Sequence, residues 1–245
     1  MKKLLLFLTL LVSGVSFSQE DIKKDTLKTV KVQANKKGLK KSIYGTTNTT
    51  LVTSKELLKA ACCNLSESFE TNPSIDVNFS DALTGTKQIK MLGLTSPYIM
   101  ITEENIPSVR GASQAYGLSF TPGTWVESIQ INKGAGSVVN GYESISGQIN
   151  TELIKPIKDI PFFLNTYGST DSRFELNTHF NKKISDYWAS SLFVHGNARV
   201  AKNDMNDDGF LDNPLGKQIN IANRWQYSNP ESGWVTFLNL RFIIF

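Results

Sequence analysis

Two residue types that often carry chemistry are nearly missing. The 245-residue chain has two histidines and two cysteines. His179 and His195 fall in separate strand-like segments, and neither stands in a nucleophile–base pair or a metal-protease motif. Hydrolase and redox readings therefore have no support in the sequence. The cysteines are neighbours, Cys62 and Cys63, and adjacent cysteines can close only a strained ring. Long apolar runs are missing too, apart from one at the N-terminus. The mature chain is therefore soluble or crosses a membrane only as β-strands. No basic patch interleaved with aromatics argues for nucleic acid.

What is present begins with Lys2 and Lys3. Leu4 to Phe17 follow as a largely apolar run of fourteen residues. That is short of the roughly 20 residues a helical span needs. Ser16-Phe17-Ser18 puts small residues where a signal peptidase reads them. Residues 1–18 are read as a cleaved secretory signal peptide, with the mature chain starting at Gln19. The alternative is an N-terminal membrane anchor, but polar Gln19 to Lys24 closes the run at once. Neither cysteine lies near the cleavage site, so no lipoprotein signal is seen. In an exported chain Cys62 and Cys63 suit a vicinal disulfide, a soft-metal site for an ion such as copper, or two buried thiols at a helix end.

The net charge of +4 is unevenly spread. Two of these charges leave with Lys2 and Lys3. Residues 19–45 carry eight lysines against three acids, so the rest of the chain is at −3. The basic balance belongs to one N-terminal segment, residues 19–48, which reads as a solvated arm. Within it Asp25 to Ala34 forms one strand-prone patch, suited to pairing with another sheet edge or to serving as a first strand.

The next region alternates helix and strand signals. Thr53 with Glu56, and Asn64 with Glu67, form two capping boxes. They predict short helices over 54–61 and 65–70, ended by Asn72-Pro73. Leu57, Leu58, Leu65 and Phe69 are expected to pack on a small sheet. Strands are predicted over 75–79, 87–92, 98–102 and 126–132. Helices beside short strands give an α+β domain over 49–155. Counting strands up and down puts loops 80–86 and 103–118 at one end. Asp81, Thr84, Gly85, Arg110, Ser113, Gln114 and Tyr116 then make a ligand-facing surface.

After Pro156 the pattern changes to segments of roughly ten residues that alternate over their length. Phe163, Asn165 and Tyr167 mark one face. They are followed by Phe174, Leu176, Thr178 and Phe180, then by Trp188, Ser190, Leu192 and Val194. Aromatics cluster near strand ends, and turns such as Ser185-Asp186 are short. This is the weak signature of a transmembrane β-barrel, with a soluble β-sandwich as the alternative.

Two further stretches invite a ligand. Gly134, Gly136, Gly141 and Gly147 look like a phosphate loop, but Tyr142-Glu143 follow Gly141 where a P-loop needs Lys and Ser or Thr. No glycine stands at 139 to complete a dinucleotide fingerprint. Turns and close backbone packing account for them better. In "DMNDDGFLD", Asp204, Asn206, Asp208, the Phe210 carbonyl and Asp212 follow the first nine positions of a calcium loop. Leu215 stands where the bidentate glutamate would be. A calcium ion and a plain polar loop both remain open.

Three stretches in order carry a family resemblance: "LSESFETNPSIDV" (65–77), "IKMLGLTSPYIMITEENIP" (89–107) and "VESIQINKGAGSVVNGYESISGQIN" (126–150). They resemble the plug domain of TonB-dependent outer-membrane receptors, and the likeness runs over about residues 25–245. Leu92 replaces the usual arginine, Glu104-Asn105 the usual Asp-Gly, Ala135 a proline and Asn140 a tyrosine. The resemblance implies an α+β plug domain followed by antiparallel strands of an incomplete transmembrane β-barrel, from residue 156 to 245. It implies a receptor in the outer membrane, in contact with outer-membrane lipid, and no enzyme. Such a receptor takes up a small molecule or metal chelate: siderophore-iron, cobalamin or another. It needs no cofactor.

The resemblance also implies a TonB box at Asp25, Thr26, Leu27, Lys28, Thr29, Val30, Lys31 and Val32, paired with the TonB protein of the inner-membrane energising complex. About five barrel strands are visible, against about 8 in the smallest such barrels and about 22 in transporters. The sequence is thus expected to be an N-terminal piece. A calcium-dependent β-rich surface module for binding or adhesion is the alternative.

Overall fold

The computed structural model describes residues 39–41, 48–57, 64–70, 72–80, 85–95, 97–136, 139 and 141–245. The signal peptide, the box at 25–32, Cys62, Cys63, Asp81 and Thr84 lie outside the described residues. Lys36–Phe245 form one compact unit.

The first half holds β1 (Leu39–Lys41), β2 (Asn48–Thr53), α1 (Ser54–Leu57), α2 (Leu65–Ser68), β3 (Asp76–Phe79), β4 (Lys87–Met91), β5 (Leu94–Thr95), β6 (Ile99–Glu103), β7 (Ile106–Pro107), β8 (Val126–Lys133) and β9 (Gly147–Leu153). One sheet runs β1-β2-β8-β9-β6-β7, and a smaller one runs β3-β4-β5. All pairs are antiparallel except β6 with β9. The second helix ends at Ser68, short of the 65–70 that its capping signal suggests, while residues 58–61 of the first lie outside the described residues. Asn64 still caps α2, its Oδ1 accepting from the Glu67 N–H at 3.2 Å. Leu57, Leu65 and Phe69 reach the core as expected; Leu58 lies outside the described residues.

The core gathers Ile89, Met91, Ile99, Ile101, Ile129, Ile131 and Ile149, all at most 3 % exposed. β8 shows how local geometry corrects a simple period. Strict alternation would put Val126 opposite Ile129 and Ile131, yet all three are buried. A register shift between Val126 and Ser128 explains it. The extra residue of a bulge reverses the phase, so both stretches face inward.

β9 is a strand that the sequence pattern hides. Only Ile149 and Leu153 are apolar in a central strand flanked on both sides. Gln148, Asn150 and Thr151 are buried beside them. Burial of an amide is tolerated when its partners are provided. Asn150 Oδ1 accepts from Thr102 Oγ1 at 2.8 Å and from the Asn105 N–H at 2.8 Å. Similarly β1, within the stretch read as a polar arm, pairs with β2.

The second half is a five-stranded antiparallel sheet: β10 (Phe162–Gly168), β11 (Arg173–Lys183), β12 (Trp188–Arg199), β13 (Gly216–Asn229) and β14 (Trp234–Ile244). It is open, the wall of an incomplete barrel. The connections 184–187 and 230–233 lie at one end, 169–172 and the long 200–215 loop at the other. Its inner face buries Glu175, Asn177, His179, Ser191, His195, Asn220 and Arg224. Its outer face exposes Phe174, Leu176, Phe180, Leu192, Ile219 and Ile221. Polar in and apolar out is the order of a membrane barrel and the reverse of a soluble sandwich. One grouping needs correction. Phe163, Asn165 and Tyr167 sit opposite His179, Asn177 and Glu175, on the inner face. The outer residues of β10 are Phe162 and Leu164.

If this outer face meets lipid, a charge placed on it is costly. Leu192→Arg is expected to weaken folding into vesicles by about 2–4 kcal/mol if Leu192 lies near the bilayer midplane. Urea titration in lipid vesicles checks this. An unchanged midpoint would mean that this face does not meet hydrocarbon.

Candidate functional site

The plug sheet sits against the polar inner face of the wall, and the contacts are mostly charged. The main one starts at the β6–β7 turn. Glu104 and Asn105 have φ of 54° and 64°. A two-residue hairpin turn of this kind needs left-handed backbone at both positions, which is unusual for glutamate. Two hydrogen bonds hold it: Glu104 N–H to Thr151 O at 2.8 Å, and Asn105 N–H to Asn150 Oδ1. The Glu104 carboxylate then receives Lys155 Nζ at 2.5 Å and Arg224 Nη2, from β13 of the wall, at 2.5 Å. The Arg224 side chain is 1 % exposed, and its guanidinium lies 4.5 Å from the centre of the Phe237 ring. Burial alone would raise the Glu104 carboxyl. The Lys155 and Arg224 hydrogen bonds and charges outweigh it and hold the group below its ordinary value.

Neighbouring contacts repeat the theme. Arg241 of β14 reaches Glu103 Oε2 at 3.4 Å and lies 5.6 Å from the Trp125 ring centre. Glu67 of α2 accepts two bonds from Arg173 of β11, at 3.2 and 3.1 Å. Asn220 Nδ2 donates to Phe120 O, and Gln218 Nε2 to Ser119 O. The apolar part is small: Trp125, Phe193 and Ala222, with Ile154 against them. The plug's own core is apolar while its seat is polar. Such a seat can separate and re-form more readily than the core can.

The predicted ligand-facing residues divide. The strand count ran through two different sheets, since β6 does not pair with β3–β5. As a result the start of loop 103–118, Glu104-Asn105, lies at the end of β6 from which parallel β9 leaves for the wall. Arg110 lies instead beside the 134–146 loop, where its Nε donates to Glu143 Oε1 at 2.7 Å and its Nη2 adds a second bond. That guanidinium holds the Glu143 carboxyl below its ordinary value. Ser113 Oγ accepts from the Arg110 N–H at 2.9 Å; Gln114 is half-buried and Tyr116 exposed. Gly85 lies against the Pro214 side chain of the long wall loop.

The glycine stretch is therefore a loop and a strand, not a phosphate cradle. Gly134 N–H to Ser146 O and Gly136 N–H to Ser144 O close the loop. Gly141 has φ +145°, which side-chain-bearing residues rarely adopt. Glu143 and Arg110 neutralise each other beside it.

In the 204–212 loop the oxygens are turned to the loop's own backbone. Asp204 Oδ2 accepts from Gly209 N–H at 2.9 Å, Asp208 Oδ1 from Phe210 N–H at 2.8 Å, and Asp212 Oδ2 from Met205 N–H at 2.9 Å. Among the described residues no three His, Cys, Asp or Glu side chains gather as a metal-binding group.

The contact residues Glu103, Glu104, Lys155, Arg224 and Arg241 escaped the sequence reading. Two signals could have found them: an acidic residue in place of the turn aspartate-glycine, and arginines at inner positions of alternating strands.

Residues 42–148 match the family model described as the TonB-dependent Receptor Plug Domain. No curated protein sequence matches the chain. Among solved structures, the siderophore receptor PirA from Acinetobacter baumannii aligns with TM-score 0.56 at 16% identity, over 80% of this chain and 31% of that one. The ferric-catecholate import receptor Fiu from E. coli K12 gives 0.60 at 19%, over 81% and 27%. FpvA from P. aeruginosa, in a complex with a heterologous pyoverdine and iron, gives 0.65 at 12%, over 83% and 26%. At these identities the likeness is one of fold, and this chain spans less than a third of the length of those receptors.

Proposed function

We propose that this chain, a TonB-dependent receptor plug followed by the first strands of its barrel wall, is the gated part of an energised uptake receptor. Homologous TonB-dependent receptors are outer-membrane transport proteins, and the apolar outer face of β10–β14 suits that membrane. The observation that carries the reading is the seat of the plug: an apolar-cored domain held on a polar wall by Glu104–Arg224 and Glu67–Arg173. A gate must be stable as a unit and separable from its frame, and this division of polarity supplies both.

The proposed ligand is a scarce small molecule or metal chelate, siderophore-iron or cobalamin among them. It would meet the plug at Arg110, Ser113, Gln114 and Tyr116. Occupancy shifts the exposure of the box at Asp25–Val32. TonB then pairs with that segment as an added strand and pulls. Val30→Pro removes an N–H from this pairing. It is expected to abolish energised uptake of ferric catecholate or cyanocobalamin while binding of the same probe persists. Uptake at the unmutated rate would overturn the box assignment.

A further inference from the structure

The linker between plug and wall, residues 154–161, is held at both ends by different parts of the molecule. Its first residues belong to the plug. The Ile154 N–H donates to Trp125 O at 3.0 Å, and Lys155 grips Glu104 and Glu152. Its last residues belong to the wall. His179 Nε2 lies 2.6 Å from Asp159 Oδ2, and Asn181 Nδ2 donates to the same oxygen at 3.1 Å and to Ile160 O at 2.6 Å. The Asn181 N–H adds a bond to Pro161 O at 2.8 Å. The His179 ring is stacked on Phe163 at 4.9 Å and tilted on Phe193 at 5.4 Å, so it is packed in one orientation.

Between these two anchorages the linker makes one turn, with Pro156 buried and Ile157 and Lys158 exposed. The only backbone hydrogen bond within it, among the described residues, is Lys158 N–H to Lys155 O at 3.1 Å. Beside it lies a cavity of about 290 Å³, lined by Thr124, Val126, Ile154, Lys158, Ile160 and His179 among others. Two buried polar atoms on its lining, His179 Nδ1 and Thr124 Oγ1, have no hydrogen-bond partner among the described residues. A domain interior is normally close-packed and hydrogen-bonded. This cleft, partly open to solvent, leaves room for the adjoining turn to move.

We propose that Asp159, His179 and Asn181 clamp the wall end of the linker, so that plug movement pivots at residues 156–158 and goes no further. The proposal rests on the uptake reading for its role and on the contacts above for its geometry. Without the clamp, a pull on the plug would run on into the first wall strand, β10, which is joined to the linker at Pro161. With it, displacement is spent in the turn, and the cavity supplies the volume the swing requires. Asp159, His179 and Asn181 are positioning residues; none touches the ligand-facing loops.

The test compares Asp159→Ala and the double change His179→Ala with Asn181→Ala in the full-length receptor. Hydrogen–deuterium exchange should rise at least tenfold at the start of β10, residues 162–166, where amides paired with β11 can lose their protection, with β12 and β13 unchanged. Energised uptake of whichever probe the unmutated receptor imports, ferric catecholate or cyanocobalamin, should fall several-fold with probe affinity kept within twofold. Asp159→Asn keeps an acceptor oxygen for His179 and should restore both readouts. Unchanged exchange at the start of β10 in the double variant would show that no clamp exists. Faster exchange with undiminished uptake would overturn the positioning role. Exchange does not depend on transport, so a failure of the uptake reading, seen in Val30→Pro, is separable from a failure of the clamp.

Discussion

Glu104→Ala is expected to loosen the plug from the wall by about 3–5 kcal/mol, because it strands Arg224. Arg224 is almost fully buried, and Glu104 supplies its carboxylate partner. A lone buried guanidinium cannot shed its charge, so the cost falls on the plug–wall contact. By the conversion of about 1.4 kcal/mol per decade, amides of β6, β7 and β9 should exchange about a hundred to a few thousand times faster. Replacing both partners, Glu104→Gln with Arg224→Met, should recover most of the loss, since a buried pair is often no better than a well-packed apolar substitute. Unchanged exchange in Glu104→Ala would mean that the contact carries no net stability.

The same contact predicts a pH window. The folded Glu104 carboxyl lies below its ordinary 4.5. Its contribution is therefore complete above the ordinary value and is lost as pH falls through the lower folded one. Urea midpoints should be flat in this respect above about pH 5 and drop in stronger acid. Glu104→Gln should remove that part of the acid dependence. An equal drop in the glutamine variant would assign it to other carboxylates.

Gly147→Val should destabilise the plug by about 3 kcal/mol, at the upper end for an overpacked core. A Cβ at this position would stand 2.4 Å from Met91 Cε and 2.9 Å from the Asn132 carbonyl oxygen. The methionine tail can move aside, since its rotatable bonds make it adaptable. The carbonyl cannot, because Asn132 belongs to β8, the strand paired with β9. Gly147→Ala brings the same Cβ against the methionine and the carbonyl but adds no γ-methyl groups, and should cost less, about 1–2 kcal/mol. Gly141→Val fails for another reason. Its φ of +145° is strained for β-branched residues, at a cost of about 1–3 kcal/mol, and a Cβ there would also stand 2.5 Å from Met100 Cε of β6. Thermal or urea unfolding of the three variants ranks them. Equal midpoints for Gly147→Val and the unmutated protein would contradict the close approach. Neither position is expected to affect nucleotide binding, because no phosphate site is built there.

Much of the fold was legible because it is written in local, periodic signals. Ile99 to Thr102, Val126 to Asn132 and the wall strands after Phe162 announce themselves by apolar spacing. Asn64 announces α2 by its cap. The ordered glycine and proline punctuation carries the family resemblance over 65–150. The signal failed where polarity and burial part company. Asn150 and Thr151 look like a loop until β6 and β8 provide their partners. The phase of β8 reversed at a bulge that no residue type marks. The phase of β10 was misjudged because aromatics occur on both its faces.

The sequence by itself determined most of the strands, turns and wall segments, β1 and β9 excepted, since those choices depend on neighbours a few residues away. Tertiary structure alone decided what the polar residues are for. Arg224 is an arginine in an alternating strand under any reading, and its partner lies 120 positions earlier, in a turn of another sheet. An isolated charge has no preferred partner until the fold removes water and presents one. For that reason the glycine stretch could be read as a plug segment from its spacing, while the contacts that hold the plug could not.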